Sequence, residues 1–276
     1  MARNQISTGI GLRHVRVALR DTDNMIAIPA AVADATAYAG IQIKKTLALT
    51  PTIPEPNRVP ARGDDIAYHT FALPPTETPS GELRVSKADT AAIALISSTT
   101  AWGSPTFRKV GLATDKQGDE SDLMMWAYRE AIDSEEGSVY FGQAIWQTYI
   151  LLNALATPRP ASMEDQNVGE FLYALTCNNS TRDELGVAFS TGVNGFTKAP
   201  ILMIVTKDKF WMDAFRGDGI ETDFTLTKAG YLSTVDPVLA YIDGVSYSFT
   251  NTAGVIKFGS APADGAKILI EYGYTS

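Results

Sequence analysis

The stretch "LRHVRVALR" (Leu12–Arg20) alternates between apolar and polar residues. In an extended chain, Val15, Val17 and Leu19 lie on one side, and mostly polar residues lie on the other. A period of two is typical of a β-strand with one buried face. The stretch "VGEFLYALTCNN" at residues 168–179 has the same pattern. The sequence therefore predicts a mainly β protein.

One segment differs from this pattern and predicts an α-helix. Ser86 can cap the alanine-rich run "KADTAAIALISS" (87–98), and Asp89 falls in its first turn, where negative charge is favoured. The stretch "SDLMMWAYREAID" (121–133) fits both periods, and we interpret it as a strand. One helix among many strands indicates a β-sandwich or β-barrel with one flanking α-helix.

After Phe215 the chain becomes a series of short apolar runs separated by turn residues. Asp243–Gly244 lies between two such runs and is a strong two-residue hairpin signal. Asp264–Gly265 marks a further turn. We therefore expect a β domain over residues 1–213 and a small C-terminal antiparallel β-domain over residues 214–276.

Composition narrows the classes of function. The 276 residues carry a formal net charge of −8, which argues against tight binding of nucleic acid through a basic surface. The single cysteine, Cys177, can form neither an intrachain disulfide nor a cysteine-rich zinc site. The apolar runs are too short to cross a bilayer, and the first residues lack the apolar core of a signal peptide. We expect synthesis in the cytoplasm and no membrane partner.

Residues suited to catalysis are few. His14 and His69 lie in strand-like stretches, where a structural role is favoured. The sequence contains neither the G-x-S-x-G motif of hydrolases nor the G-x-x-x-x-G-K-[ST] phosphate loop. Two acidic stretches, Asp21–Asn24 and Asp133–Gly137, fit turns better than calcium loops. We predict no enzyme activity, no cofactor and no metal site.

Several features of the C-terminal segment occur together in a recognisable order. Gly217–Gly219 precedes Phe224, an apolar run leads into Asp243–Gly244, and Phe258 is followed by "APADGAKILIEYGYT" (261–275). This order resembles a small β-module found on virion proteins of tailed bacteriophages. The resemblance implies a phage structural context and, in that context, a module exposed on the outside of an assembly.

The larger region also has an informative order of elements. An early strand pair is followed by a long loop, a short strand, one helix, and long strands around "SMEDQNVGEFLYAL" (162–175). This order resembles the tail tube (major tail) proteins of tailed bacteriophages. The resemblance implies that six protomers close a ring by β-sheet pairing, and that the rings stack into a tube through which DNA passes. It implies no catalytic residues.

The resemblance also implies partners and a location. The partners would be other copies of the chain in a homo-oligomeric hexamer, the terminator, baseplate and tape measure proteins, and genomic DNA that passes without tight binding. The protein would reside in the virion after synthesis in the host cytoplasm. Two alternatives stay open: a capsid decoration or baseplate protein, and a host-surface glycan-binding protein. For the glycan-binding alternative, the aromatic side chains that could stack on a sugar are those of Tyr231, Tyr241, Tyr247 and Tyr272.

A proline-rich stretch, "PTIPEPNRVPARGDD" (51–65), precedes the next strand-like run. Proline is incompatible with a helix interior or a central strand, and a loop of this length in an ordered domain generally has a use. We therefore expect a loop that stacks one ring on the next. Its candidate residues are Pro51, Pro54, Pro56, Arg58, Pro60, Arg62, Asp64 and Asp65.

The tripeptide Arg-Gly-Asp occurs twice, at Arg62–Asp64 and at Arg216–Asp218. In both places a turn explains it better than cell adhesion, because glycine and aspartate are favoured turn residues. Gly217, Asp218 and Gly219 fall where the pattern of the larger region stops. We predict an interdomain hinge there, and we expect a chain that ends at Ala214 still to assemble.

Overall fold

The described part of the chain is mainly β, as the sequence predicts, with several antiparallel sheets and one small helix. The computed structural model describes residues 9–43, 46–52, 57–63, 66–73, 79–85, 90–96, 100–104, 109–113, 122–132, 136–137, 141–159, 171–178, 180–189, 202–207, 210–233 and 237–274. The strands are β1 (Gly9–Leu19), β2 (Ile41–Ile43), β3 (Thr46–Thr52), β4 (Asn57–Gly63), β5 (Ile66–Leu73), β6 (Ser80–Val85), β7 (Thr100–Ser104), β8 (Lys109–Ala113), β9 (Leu123–Ile132), β10 (Ala144–Arg159), β11 (Phe171–Cys177), β12 (Leu202–Lys207), β13 (Phe210–Arg216), β14 (Asp223–Thr225), β15 (Leu239–Ile242), β16 (Val245–Ser246), β17 (Phe249–Thr252), β18 (Val255–Phe258) and β19 (Lys267–Gly273). The helix α1 (Thr90–Ile96) lies between β6 and β7, and a 3-10 turn (Ala229–Tyr231) lies between β14 and β15.

The largest sheet has eight strands in the order β2-β1-β9-β10-β11-β6-β3, with β12 also paired to β10. The long strand β10 takes different neighbours along its length. Residues 146–151 pair with β12, whereas residues 154–159 pair with β11. The described ladders are antiparallel, and the described strands form no closed barrel.

Both faces of the eight-stranded sheet are covered, and β9 shows this most clearly. Leu123, Met125 and Ala127 of β9 pack with Ala92 and Ile96 of α1 on one face. The alternate residues of β9 pack on the other face with residues of β13 and β19. A strand buried on both faces has a continuous apolar run rather than a clean alternation. This explains the ambiguous pattern at residues 121–133, where the strand prediction is confirmed.

A second sheet, in the order β13-β19-β15-β16, forms the next layer. Phe210 and Met212 of β13 and Leu269 of β19 face the eight-stranded sheet. Trp211 and Tyr272 pack on the opposite side, in a third apolar cluster that includes residues of the three-stranded sheet β14-β18-β17. The layers are therefore α1, the eight-stranded sheet, the four-stranded sheet and the three-stranded sheet.

Two local predictions are confirmed. The helix forms within the expected run, although Ser86 and Asp89 lie outside the described residues. Asp243 and Gly244 both have positive φ, 51° and 78°, and Ile242 pairs with Val245 across them. This is the two-residue hairpin that the dipeptide predicts.

The expected long loop over residues 51–65 is wrong in its local structure. Pro51 lies in β3, and Pro60 lies in β4. The strand β3 is the last strand of the eight-stranded sheet, and β4 belongs to a two-stranded sheet with β5. A strand with one unpaired side tolerates proline, because a missing N–H on that side removes no ladder hydrogen bond. The prolines therefore exclude a central strand but not an edge strand.

The predicted boundary at 213/214 falls inside β13. This strand pairs with β19 from Phe210↔Gly273 to Arg216↔Lys267. Residues on both sides of the boundary therefore belong to one ladder, and the division into two domains stays a prediction.

Candidate assembly interface

The candidate ring-stacking residues lie in and around a two-stranded ribbon made of β4 and β5. Their ladder runs from Asn57↔Leu73 to Gly63↔Ile66, with an irregularity between Ala61 and Arg62. Arg58, Pro60 and Arg62 lie in β4 and Pro51 in β3, whereas Pro54, Pro56, Asp64 and Asp65 lie outside the described residues. At about 3.4 Å per residue, strands of this length extend over roughly 25 Å.

The ribbon makes few contacts with the other described elements of its own chain. Among the described elements, β4 and β5 contact each other extensively, and neither has a second partner of comparable extent. A second ribbon, formed by β7 and β8, differs because α1 packs against both of its strands. No sequence pattern identified above predicts the second ribbon. The β4–β5 ribbon therefore has no extensive packing partner among the described elements of its own chain.

The predicted hinge residues form a tight turn directly after β13. One carboxylate oxygen of Asp218 accepts backbone N–H bonds from Ile220 (2.8 Å) and Glu221 (2.7 Å). These two bonds, that from Glu221 first, hold the pKa of Asp218 below its ordinary value. Gly217 donates to the carbonyl of Ala266 at 2.9 Å and accepts from the N–H of Gly265 at 2.9 Å. The turn is thus tied to the segment before β19, and its role as a hinge stays a prediction.

Arg216 of the second Arg-Gly-Asp tripeptide is held by contacts within the chain. Its guanidinium lies 3.1 Å from a carboxylate oxygen of Asp34 and donates to the carbonyl of Ile28 at 2.9 Å. A side chain engaged in this way is not presented as a free recognition group. This supports the turn interpretation of this copy, whereas the other copy extends beyond the described residues.

A buried polar cluster joins the sheets, and no sequence pattern predicts it. Asp213 is fully buried on β13. Its carboxylate accepts hydrogen bonds from the indole N–H of Trp211 (3.0 Å), the hydroxyl of Tyr272 (2.7 Å), and both the backbone N–H (2.7 Å) and hydroxyl (2.8 Å) of Thr227. Burying a carboxylate is unfavourable unless it is hydrogen-bonded, and four donors satisfy this one.

Arg16 connects this cluster to the eight-stranded sheet. Its guanidinium carbon lies 4.0 Å from the ring centroid of Trp211, within the range of a cation–π contact. The same side chain donates to the carbonyls of Ala39 (2.6 Å) and Gly40 (3.2 Å). Lys228 lies 4.9 Å from the same indole ring. Burial lowers the pKa of Arg16, and burial raises the pKa of the neighbouring Tyr272 well above its ordinary value.

The cluster has the chemistry of a structural joint. Its hydrogen bonds are made within the chain, and the aspartate is sealed from solvent. Two of the partners, Thr227 and Tyr272, lie 14 and 59 residues from Asp213, so no local pattern reveals them. The one sequence feature that indicates a buried polar group here is the single carboxylate within the otherwise apolar run "FWMDAF" (210–215).

The remaining sequence candidates have ordinary surroundings. Within the described ranges, no group of three or more histidine, cysteine, aspartate or glutamate side chains is placed to hold a metal ion. In the acidic turn, Asp21 and Asp23 form ion pairs with Lys267 at 3.1 and 2.7 Å. Cys177 is buried, which raises the pKa of its thiol.

The four tyrosines that could stack on a glycan differ in exposure to solvent. Tyr231 and Tyr247 are exposed, and Tyr241 is half-buried. Tyr272 is fully buried and is not available to a glycan. The glycan-binding alternative therefore retains two exposed candidates.

No family model matches the chain, and no curated protein matches it significantly. In the part of the chain that the structure describes, no helix is both long and apolar enough to cross a membrane. Any function assigned to the protein therefore rests on its residues and their arrangement.

Proposed function

We propose that the protein is a structural virion protein whose copies assemble into stacked, hexameric rings that form the tail tube of a tailed bacteriophage. The tube is a conduit for DNA ejection. Its partners are other copies of the chain, the terminator, baseplate and tape measure proteins, and DNA that passes through the lumen without tight binding.

The β4–β5 ribbon is the observation that carries this proposal. An isolated two-stranded hairpin is at best marginally stable in water. This ribbon nevertheless makes few contacts with other described elements of its chain. An element of this kind gains stability when a neighbouring copy supplies the missing contacts. Rigid prolines reduce the entropy lost when such a segment becomes ordered against a partner.

The open sheet edges and the acidity of the chain support the same function. Edge strands present unpaired backbone groups, which are suited to pairing with another chain. A head-to-tail contact of this kind closes into a ring when its rotation fits, and rings can stack. The net charge of −8 per copy gives an acidic assembly, which repels DNA rather than retaining it.

The test is to image two proteins by negative-stain electron microscopy. One is the full chain, and the other has residues 57–73 replaced by a short Gly-Ser linker. We expect rings and tubes from the full chain, and unstacked rings from the variant. Circular dichroism and thermal unfolding of the variant must show a native fold for the comparison to count. Tubes of normal length from the folded variant would contradict the assignment of the ribbon.

The abundance of the protein in virions separates this proposal from its alternatives. A tube protein should be among the most abundant virion proteins, with a copy number that increases with tail length. Copies confined to the capsid or to the baseplate would contradict a tube and would indicate a decoration or baseplate protein.

A further inference from the structure

An uncharged segment, "VSYSFTNT" at residues 245–252, borders two sheets in turn, with Tyr247 and Ser248 between the two strands. It contains β16, the last strand of the four-stranded sheet, and β17, the last strand of the three-stranded sheet. On the inner side, β16 pairs with β15 and β17 pairs with β18. Among the described strands, none pairs with the outer side. We call residues 245–252 the bare edge.

Four other sheet edges in the described chain carry features that discourage pairing with a further strand. The strand β3 contains Pro51, and two lysines, Lys44–Lys45, follow β2. The edge of β13 is covered by Tyr38, which exchanges two backbone hydrogen bonds of 2.8 Å with Ala214. The strand β14 contains the charged residue Asp223. Charges, prolines and covering segments are among the usual protections of an edge, and the bare edge has no charge or proline.

The bare edge also exposes apolar surface. The side chains of Val245 and Tyr247 are 61% and 47% exposed. The ring of Tyr247 lies edge-on to Phe258, with centroids 6.4 Å apart, which supports it from the inner side. Valine, tyrosine, phenylalanine and threonine favour extended structure, so the segment is suited to accept another strand.

The pattern of residues along the bare edge indicates which strand would pair with it. Large apolar residues, Val245, Tyr247 and Phe249, alternate with the small residues Ser246 and Ser248. An antiparallel pairing with a two-fold axis at Tyr247 places tyrosine opposite tyrosine, valine opposite phenylalanine, and serine opposite serine. Aromatic and β-branched pairs of this kind stabilise a sheet. The edge is therefore complementary to itself, as a two-fold interface between identical chains requires.

Charge favours the same partner. Each copy carries a formal net charge of −8, so two copies repel each other over most approaches. Along the bare edge no charged side chain would face a charged side chain of its copy. We propose that the bare edge pairs antiparallel with the same edge of a second copy of this chain, forming a two-fold contact that is separate from the β4–β5 ribbon.

Cross-linking of the full chain tests the geometry directly. Directly opposite residues in an antiparallel pair have Cβ atoms about 4.5–5.5 Å apart, close enough for a disulfide after a small adjustment. We expect Tyr247→Cys to give a disulfide-linked dimer under mild oxidation by diamide. Tyr231→Cys is the matched control, because Tyr231 is also exposed, at 58%, and lies outside the bare edge. Cys177 is buried and is common to both variants.

A charge substitution supplies the second measurement. Sedimentation over a range of concentrations should show that Tyr247→Lys weakens self-association at least tenfold, because it opposes two lysines, whereas Tyr231→Lys leaves it unchanged. Equal self-association of the two lysine variants, or equal cross-linking of the two cysteine variants, would overturn the proposal, as would absence of any Tyr247→Cys dimer. Microscopy of Tyr247→Lys separates this proposal from the tube, since loss of the edge contact should leave ring formation intact.

Discussion

The β4–β5 ribbon and the strand pair β13–β19 are both two antiparallel strands, yet their surroundings are opposite. The ribbon makes few contacts with other described elements. The β13–β19 pair is buried on both faces, between the eight-stranded sheet and the three-stranded sheet. Strands with similar local patterns can thus be either an outlying element or the centre of the core. The contacts of a strand, rather than its position in the chain, show whether deleting it disrupts the fold.

The largest contrast should come from deleting each region. A chain that ends at Ala214 loses β19, and with it the ladder partner of β13 and Leu269 from the inner core. We expect this chain to be insoluble or unfolded, whereas replacement of residues 57–73 leaves the fold intact. The sequence alone favours the opposite result for the truncation, because the C-terminal segment reads as a separate module. Soluble expression and circular dichroism show whether the truncated chain is folded or unfolded.

A large decrease in the free energy of unfolding is expected from Asp213→Ala. The substitution leaves the N–H groups of Trp211 and Thr227 buried without their acceptor, and it removes a negative charge near Arg16. Loss of one member of a buried, charged network typically costs about 3–5 kcal/mol. Urea unfolding should show this decrease in the free energy of unfolding.

The control for this change is Asp223→Ala, which removes an exposed carboxylate paired with Lys257 at 3.1 Å. Its unfolding midpoint should equal that of the unchanged chain, because exposed ion pairs contribute little. Equal midpoints for Asp213→Ala and Asp223→Ala would show that the buried cluster does not join the sheets.

A smaller effect is expected where the hairpin of the four-stranded sheet meets the loop at residues 183–187. Gly244 and Gly265 have almost the same φ, 78° and 77°, so alanine is equally strained at both. At Gly244 a Cβ atom would also collide with the carbonyl oxygen of Gly186, whereas at Gly265 nothing lies within 4 Å. We expect Gly244→Ala to cost about 1–3 kcal/mol more than Gly265→Ala in thermal or urea unfolding. Equal losses would mean that the loop and the hairpin are not packed together.

The smallest effect concerns the ion pairs of Lys267. A backbone hydrogen bond from Thr22, together with Lys267, lowers the pKa of Asp21. A carboxyl group with a lowered pKa stabilises the fold above its unfolded pKa, and this contribution is lost as the pH falls through the folded value. Asp21→Asn should therefore reduce stability by about 0.5 kcal/mol at pH 7, since exposed pairs are weak.

The difference between Asp21→Asn and the unchanged chain should disappear in acid, below the pKa of the Asp21 carboxyl group. It should also decrease at high salt, because solvent ions screen exposed charges. A difference that persists at low pH would show that the asparagine itself, rather than the lost charge, causes the change.

The sequence was informative where structure depends on neighbours along the chain. The alternation at Leu12–Arg20, the helix at Thr90–Ile96 and the Asp243–Gly244 turn were predicted because each depends on short-range periodicity or dihedral preference. The proline-rich stretch was misassigned, because proline excludes a central strand and the pattern does not show whether a strand lies at an edge.

Long-range partners were not predictable in the same way. The four-stranded sheet places β13 beside β19, although 50 residues separate Arg216 from the start of β19 at Lys267. Thr227 and Tyr272 likewise become partners of Asp213 only when distant parts of the chain meet, Tyr272 through the ladder that β13 forms with β19. The exposed, uncharged edge at residues 245–252 has an ordinary strand pattern and is distinguished only by its unpaired outer side.

Electron microscopy of the purified full chain beside the folded chain that lacks residues 57–73 tests the central claim most directly. The proposal predicts stacked rings that form tubes from the full chain, and single rings from the chain without the ribbon. Monomers from the full chain under all conditions, with no tube containing the protein in virions, would contradict it.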